Sequence, residues 1–312
     1  MTNVPEFLTN FNSHAPAFTG LFRFNEPMAG HTTFNVGGPA DLWIRPEGDG
    51  FSGYAAALLE AAGEGGIPVF ILGRGANLVV SDRGIRGIVL DTTGYTGLER
   101  EEGDTLWFRS GTTVDEALEA AAARSLSGLE FLAGMPGSIG GALWMNARCY
   151  GREMADIVTT VRFLERGKVL TMTQHKKDYD YKKSPFQGRD LLILEGAFAL
   201  TEKAPGLIRE EMKNRRRDRE QKGQYRFPSA GSAFKNNRKF GKPTGKIIDD
   251  LGLKGLSRGD AQIAPWHGNL IINRGRASAR DIKTLMDEVH TRVYEALGFS
   301  LEPEIIFAGE GF

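Results

Sequence analysis

The chain has 312 residues, more than one small hydrophobic core needs, so length alone points to two domains or to one large domain with subdomains. Hydrophobic residues make up 41% and charged residues 25%, an ordinary globular composition, and no window approaches the ~20 apolar residues of a membrane span. The 39 Lys and Arg balance 39 Asp and Glu, which removes any global pull toward nucleic acid or anionic membrane and makes any anion site a local one. The first 30 residues are interrupted by Pro5, Asn10, Asn12, His14 and Pro16 and hold no apolar run of signal-peptide length. The single cysteine, Cys149, cannot form an internal disulfide, and no Cys/His set has zinc spacing. A reducing, cytoplasmic setting without a protein-bound metal is expected.

The Ala/Leu-rich stretch Phe51–Glu64 reads as a helix ended by Gly65-Gly66. The apolar run Val69–Leu72 reads as a buried strand that leads straight into G-R-G-A-N-L-V-V-S-D, residues 73–82. Residues 87–91 and Thr105–Arg109 read as further strands. Thr113 and Glu116 form a capping-box pattern that opens a helix to about Arg124. This alternation argues for an α/β fold. After the glycine-rich stretch 134–141, residues 143–147 read as helical. Residues 158–164 and 168–172, around Glu165-Arg166-Gly167, read as a hairpin. Residues 191–200 are a strongly apolar strand, and Pro205 starts a helix to about Gln221. A domain boundary is expected near 204. Beyond it, helices are expected near 245–251 and 278–297, the second capped by Ser278 with Asp281 three residues on. Strands are expected at 270–273 and 301–307.

Several clusters could carry chemistry. Gly73, Arg74, Gly75, Ala76 and Asn77 follow a strand, and glycines there let backbone N–H groups reach a phosphate; a tight turn explains them equally. Gly134, Pro136, Gly137, Ser138, Gly140 and Gly141 form a second loop opening into a short helix, an anion site or a packed turn. Two such loops favour a dinucleotide, yet neither matches the NAD-type G-x-G-x-x-G pattern, and no P-loop is present. Tyr181-Lys182-Lys183-Ser184 could hold a carboxylate or phosphate, or be a solvated loop. Ser232 lies among small residues in P-S-A-G-S-A-F-K-N without a nucleophile elbow, which argues against a serine hydrolase and leaves a proton donor or a structural N-cap or strand end. The basic run from Arg209 to Arg226 has interleaved acids and reads as a solvated helix rather than a nucleic-acid surface. His267, before a strand, reads as structural.

Taken in order, H-T-T-F-N-V-G-G-P-A-D (31–41), I-L-G-R-G-A-N-L-V-V-S-D (71–82), G-L-E-F-L-A-G-M-P-G-S-I-G-G-A (128–142), M-N-A-R-C-Y-G-R-E (145–153), Y-K-K-S-P-F-Q (181–187), P-S-A-G-S-A-F-K-N (228–236), H-G-N-L-I-I-N (267–273) and L-E-P-E-I-I-F (301–307) resemble the UDP-N-acetylenolpyruvoylglucosamine reductase family. The resemblance runs from about residue 25 to 308. It implies an α+β and α/β fold: an FAD-binding part of vanillyl-alcohol-oxidase type in two subdomains (24–204), a UDP-sugar domain (205–300) and a C-terminal strand with a catalytic glutamate (301–312). The short stretch between Tyr181 and Ser232 resembles the compact form of the family, without an added tyrosine-bearing loop.

The resemblance implies FAD and NADPH as cofactors and a UDP-sugar as the small-molecule partner, with neither nucleic acid nor membrane insertion. It implies Ser232 as proton donor, Glu304 as the polarising carboxylate and Lys182 as the cation where the family has arginine. Tyr181, Lys235 and Asn236 are implied substrate contacts. Lys keeps the charge of Arg but not its planar fork, so Lys183 or Arg148 could share the work. Arg148-Cys149 replaces a small pair, and Asn237 stands where the family often has proline. Two alternatives remain open at this point: an FAD oxidase or dehydrogenase of the same flavin fold, and a UDP-sugar-binding protein without turnover.

Overall fold

A computed structural model describes residues 4–312. The chain divides into two compact units, and it crosses between them repeatedly. The first comprises the chain up to 24, 42–74 and 87–217; the second comprises 25–41, 75–86 and 218–312. This differs from the continuous division at residue 204 expected from the sequence: two short N-terminal segments belong with the C-terminal unit, and the helix Pro205–Gln221 runs through the boundary.

The first unit is built on two sheets. One has four strands in the order Gly20–Pro27, Pro39–Pro46, Ile85–Asp91, Val69–Leu72, lying wholly or mainly in this unit, with the last pair parallel. Its core includes Leu42, Ile44, Phe51 and Leu58, the last two from the helix Phe51–Glu64. Phe7 and Phe11, one helical turn apart on Val4–His14, stack at 5.8 Å and join that core; the breakers in this segment hid the helix from sequence reading. The other sheet has five strands in the order Lys168–Thr173, Val158–Glu165, Leu191–Ala199, Thr105–Arg109, Leu98–Glu102, paired antiparallel throughout. Leu191–Ala199 is central and buried along nearly its whole length, which accounts for its unbroken apolar run. Val114–Ala123 packs into the same core behind the capping box of Thr113 and Glu116.

The second unit has its own core, including Phe34, Val36, Val79, Ile247, Ile271, Leu285 and Val289. The strand Ile306–Ala308 pairs in parallel with Leu78–Val80, inside the glycine motif. Only the end of the stretch expected as a strand at 301–307 is one; Pro303 pairs singly with Phe234. The long helix Ala279–Leu297 ends at Gly298, which takes the left-handed conformation at φ 71° and donates its N–H to Tyr294 O. That helix starts from the Ser278/Asp281 capping box, and the two carboxylate oxygens of Asp82 accept from Ala279 N (2.8 Å) and Arg280 N (3.0 Å). The helix expected at 143–147 is Ile139–Trp144 instead, and Asn146 lies beyond it at φ 44°.

Candidate active site

Gly75 has φ 60°, and a Cβ there would lie 2.2 Å from the His31 carbonyl oxygen, so the turn requires glycine. Gly73 lies against Ser138 within the first unit: a Cβ on Gly73 would stand 2.6 Å from Ser138 Oγ. The two glycine loops therefore meet at this point. Among the described residues, no group accepts from the backbone N–H of Arg74, Gly75, Ala76, Gly137 or Ser138. Arg74 is exposed and has no ion-pair partner among the described residues. Its charge still reaches Glu116. Burial pushes that carboxyl upward, but the bonds from Thr113 and the charge of Arg74 outweigh it and set the carboxyl below its ordinary value.

The second loop is more occupied than its glycine count suggests. Ile139 N donates to Thr112 O (2.9 Å), Gly140 N to Ser110 O (2.8 Å) and Gly141 N to Ser138 Oγ (3.4 Å). Gly140 is a packing residue, since its Cβ would come 2.8 Å from Ser110 Cβ. Gly134 takes φ 73° at the turn and donates to Asp115 Oδ1 at 3.4 Å. Pro136 is exposed between them. The open donors of this loop are thus Gly137 and Ser138. Within the first unit, the unbonded N–H groups of Arg74, Gly137 and Ser138, beside the exposed Arg74 side chain, fit an anion such as the diphosphate of FAD.

Ser232 and Glu304 come together in the second unit. Glu304 N donates to Ala233 O (2.9 Å), Ser232 lies opposite Leu270, and Phe234 opposite Pro303. Ser232 is half-buried, and its hydroxyl has no hydrogen-bond partner among the described residues. Glu304 is also half-buried. Asn77, the last residue of the first glycine motif, donates from Nδ2 to Glu304 O (3.0 Å) and accepts Ile306 N at its own carbonyl (3.0 Å). It is a support for the glutamate as well as part of the loop. Lys235 and Asn236 lie directly beyond Phe234. Lys235 Nζ pairs with Glu302 Oε1 at 2.5 Å, and Asn236 Oδ1 accepts from Thr244 N at 2.9 Å.

Lys182 lies in the first unit, on a turn where its φ is 59°. The turn is pinned from below: Asn146, fully buried, donates to Asp180 O (3.0 Å), while Ser184 Oγ (2.7 Å) and Gln187 Nε2 (2.9 Å) both donate to Trp144 O. The Arg148 guanidinium sits 5.5 Å from the centre of the Tyr181 ring and 3.9 Å from Glu153, and Lys183 is exposed. Arg148 thus lies against Tyr181, the residue that precedes Lys182.

Sequence reading missed Thr33, Asn146 and Asn269. Thr33 Oγ1 donates to Ser229 O (2.7 Å) and Thr33 N to Gly75 O (3.2 Å), which ties the glycine turn to the serine loop. Each of the three sits in a motif quoted above, but its partner is remote in sequence. In the basic helix, Glu211 pairs with Lys203 and Arg215, Asp115 with Arg216, and Asp218 with Lys222. No described helix is long and apolar enough to cross a membrane.

Residues 54–173 match the FAD binding domain family, and 222–308 match the C-terminal domain of UDP-N-acetylenolpyruvoylglucosamine reductase. The chain is therefore a flavoprotein with a second, reductase-type domain. The UDP-N-acetylenolpyruvoylglucosamine reductases of Treponema denticola and Treponema pallidum are 39% and 40% identical to it, over 93% of this chain and 94% of theirs. The crystal structure of the Thermus caldophilus reductase superposes with a TM-score of 0.76 at 32% identity, covering 93% of this chain and 99% of that one. The chain belongs to the UDP-N-acetylenolpyruvoylglucosamine reductase family.

Proposed function

We infer that this protein reduces the enolpyruvyl group of UDP-N-acetylglucosamine enolpyruvate to give UDP-N-acetylmuramate, a step in making peptidoglycan precursors, with NADPH as the reductant. The single observation that carries the reading beyond family membership is the unbonded Ser232 hydroxyl held beside Glu304 on hydrogen-bonded backbone. When bound, FAD would supply the hydride-transfer chemistry between NADPH and the substrate.

The residues then divide the remaining work. The backbone N–H groups of Arg74, Gly75, Ala76, Gly137 and Ser138 would hold the diphosphate of FAD. Hydride addition at the terminal carbon of the double bond leaves negative charge on the adjacent carbon, shared with the substrate carboxylate. The ammonium of Lys182 stabilises that charge. Glu304 polarises the enolpyruvyl group. Ser232 Oγ gives its proton to the adjacent carbon, which completes the saturated ether. Tyr181, Lys235 and Asn236 position the UDP-sugar. Flavin binding is assigned to the bulk of 24–204, the UDP-sugar to 205–300, and the polarising carboxylate to 301–312.

The test is anaerobic. The flavoprotein is reduced with one equivalent of NADPH, the enolpyruvyl UDP-sugar is added, and flavin absorbance is followed. Return of the oxidised spectrum is expected. A flavin that reduces but stays bleached would overturn the reductase reading, and a colourless protein would overturn the cofactor assignment.

A further inference from the structure

Asn269 is 3% exposed, and its carboxamide is spent entirely on one neighbour. Oδ1 accepts from Phe234 N at 2.9 Å, and Nδ2 donates to Phe234 O at 2.8 Å. Its backbone oxygen also accepts from Ala233 N at 2.9 Å. Three hydrogen bonds from one residue thus hold Ala233 and Phe234, the two residues C-terminal to Ser232. On the other side, Ala233 O accepts from Glu304 N at 2.9 Å. Ala233 and Phe234 are buried, at 1% and 2% exposure.

The approach to Ser232 from its N-terminal side is looser. Gly231 is left-handed at φ 74°, and a Cβ there would meet nothing within 4 Å. Glycine at that point removes side-chain restraint, so the placement of Ser232 depends on Ala233 and Phe234. The supports of Asn269 are themselves tight. Its N–H donates to His267 Nδ1 at 3.2 Å, and a Cβ on Gly268 would stand 2.3 Å from Gly245 O, so the helix Thr244–Asp250 packs directly on this turn.

We propose that Asn269 is a positioning residue for the proton transfer: its carboxamide clamps both backbone groups of Phe234, reinforcing the backbone bond from Ala233 N, and so fixes the Ser232 hydroxyl relative to Glu304. The proposal rests on the reading of Ser232 as proton donor. A misplacement on the order of 1 Å costs a positioned group as much as ~10² in rate, so loss of the clamp registers in the step that Ser232 performs and not in the step that it does not touch.

The experiment separates the two half-reactions in the flavin-loaded enzyme, using wild type, Asn269→Ala, Ser232→Ala and the double variant. For Asn269→Ala, flavin reduction by NADPH is expected within about twofold of wild type, while reoxidation by the enolpyruvyl UDP-sugar slows about tenfold or more. Substrate concentration at half-maximal rate should stay within about threefold. In the Ser232→Ala background the same change should add nothing beyond about twofold, because the group it positions is gone. Equal loss in both half-reactions, or full additivity with Ser232→Ala, would show a merely structural residue and overturn the proposal. Should Asn269→Ala fail to fold, Asn269→Asp keeps the volume and the acceptor for Phe234 N while removing the donor, and the same pattern is required of it. If Ser232→Ala reoxidises like wild type, the proton-donor reading has failed, and the proposal falls with it for that separate reason.

Discussion

Gly75 shows how much one backbone position can demand. At φ 60° most side chains are strained, and here a Cβ would also stand 2.2 Å from a carbonyl oxygen that is itself part of a turn. Gly75→Ala must therefore move the loop, and with it the open donors of Arg74 and Ala76. The expected result is protein that purifies with little flavin, measured as the ratio of flavin to protein absorbance, and that regains colour only at high added FAD. Full flavin content in the variant would remove this loop from cofactor binding. The motif containing Gly75 was legible as a candidate phosphate loop or a tight turn, because glycine after a strand is a local signal. Its other roles were not legible. Asn77 reaches Glu304, 227 residues away, and Asp82 reaches Ala279, 197 residues away, so nothing near either residue announces its partner.

At the scale of elements, local patterning and long-range pairing part company. Phe51–Glu64, Thr105–Arg109 and Pro205–Gln221 have the bounds their sequences imply, since periodicity and end signals lie within each segment. The strand Leu78–Val80 exists because Ile306–Ala308 pairs with it, and three residues inside a glycine motif give no strand period to read. The turn at His267 makes stability depend on pH. Burial, then the nearby charge of Lys222, holds its imidazole below the ordinary histidine value, against an opposing bond to its own backbone. Its Nδ1 must keep a lone pair to accept Asn269 N. A histidine depressed in the folded state binds its proton more readily when unfolded. Stability is then fully present above the unfolded value of about 6.5 and is lost as pH falls below it toward the folded value. Denaturant unfolding between pH 7.5 and 5 should show this slope in the wild type and a reduced slope in His267→Gln. Identical slopes would mean that another group carries the pH dependence.

The whole molecule is two units threaded through one another in sequence. A continuous division was the natural sequence reading, because a strongly apolar strand ends at 200 and a new helix starts at Pro205, and the segments 25–41 and 75–86 are too short to look like parts of a remote domain. Yet Phe34, Val36 and Val79, exposed by 0%, 3% and 0%, sit in the core shared with Ile247, Ile271 and Leu285. Fully burying side chains of this kind stabilises by ~1.5–3 kcal/mol each, so the three together supply roughly 5–9 kcal/mol. That sum is comparable to the whole stability of a typical domain, about 5–15 kcal/mol. The segment 75–86 also supplies the strand Leu78–Val80 and the Asp82 cap. An isolated fragment 218–312 spans the family's C-terminal domain match, yet lacks all of these groups. It is therefore expected to show no cooperative thermal transition and no dispersed amide NMR spectrum, both of which the intact chain should show. A fragment that folds cooperatively would mean that 25–41 and 75–86 lie on a core already complete without them, and the Ser232 loop would then owe its geometry to residues 218–312 alone.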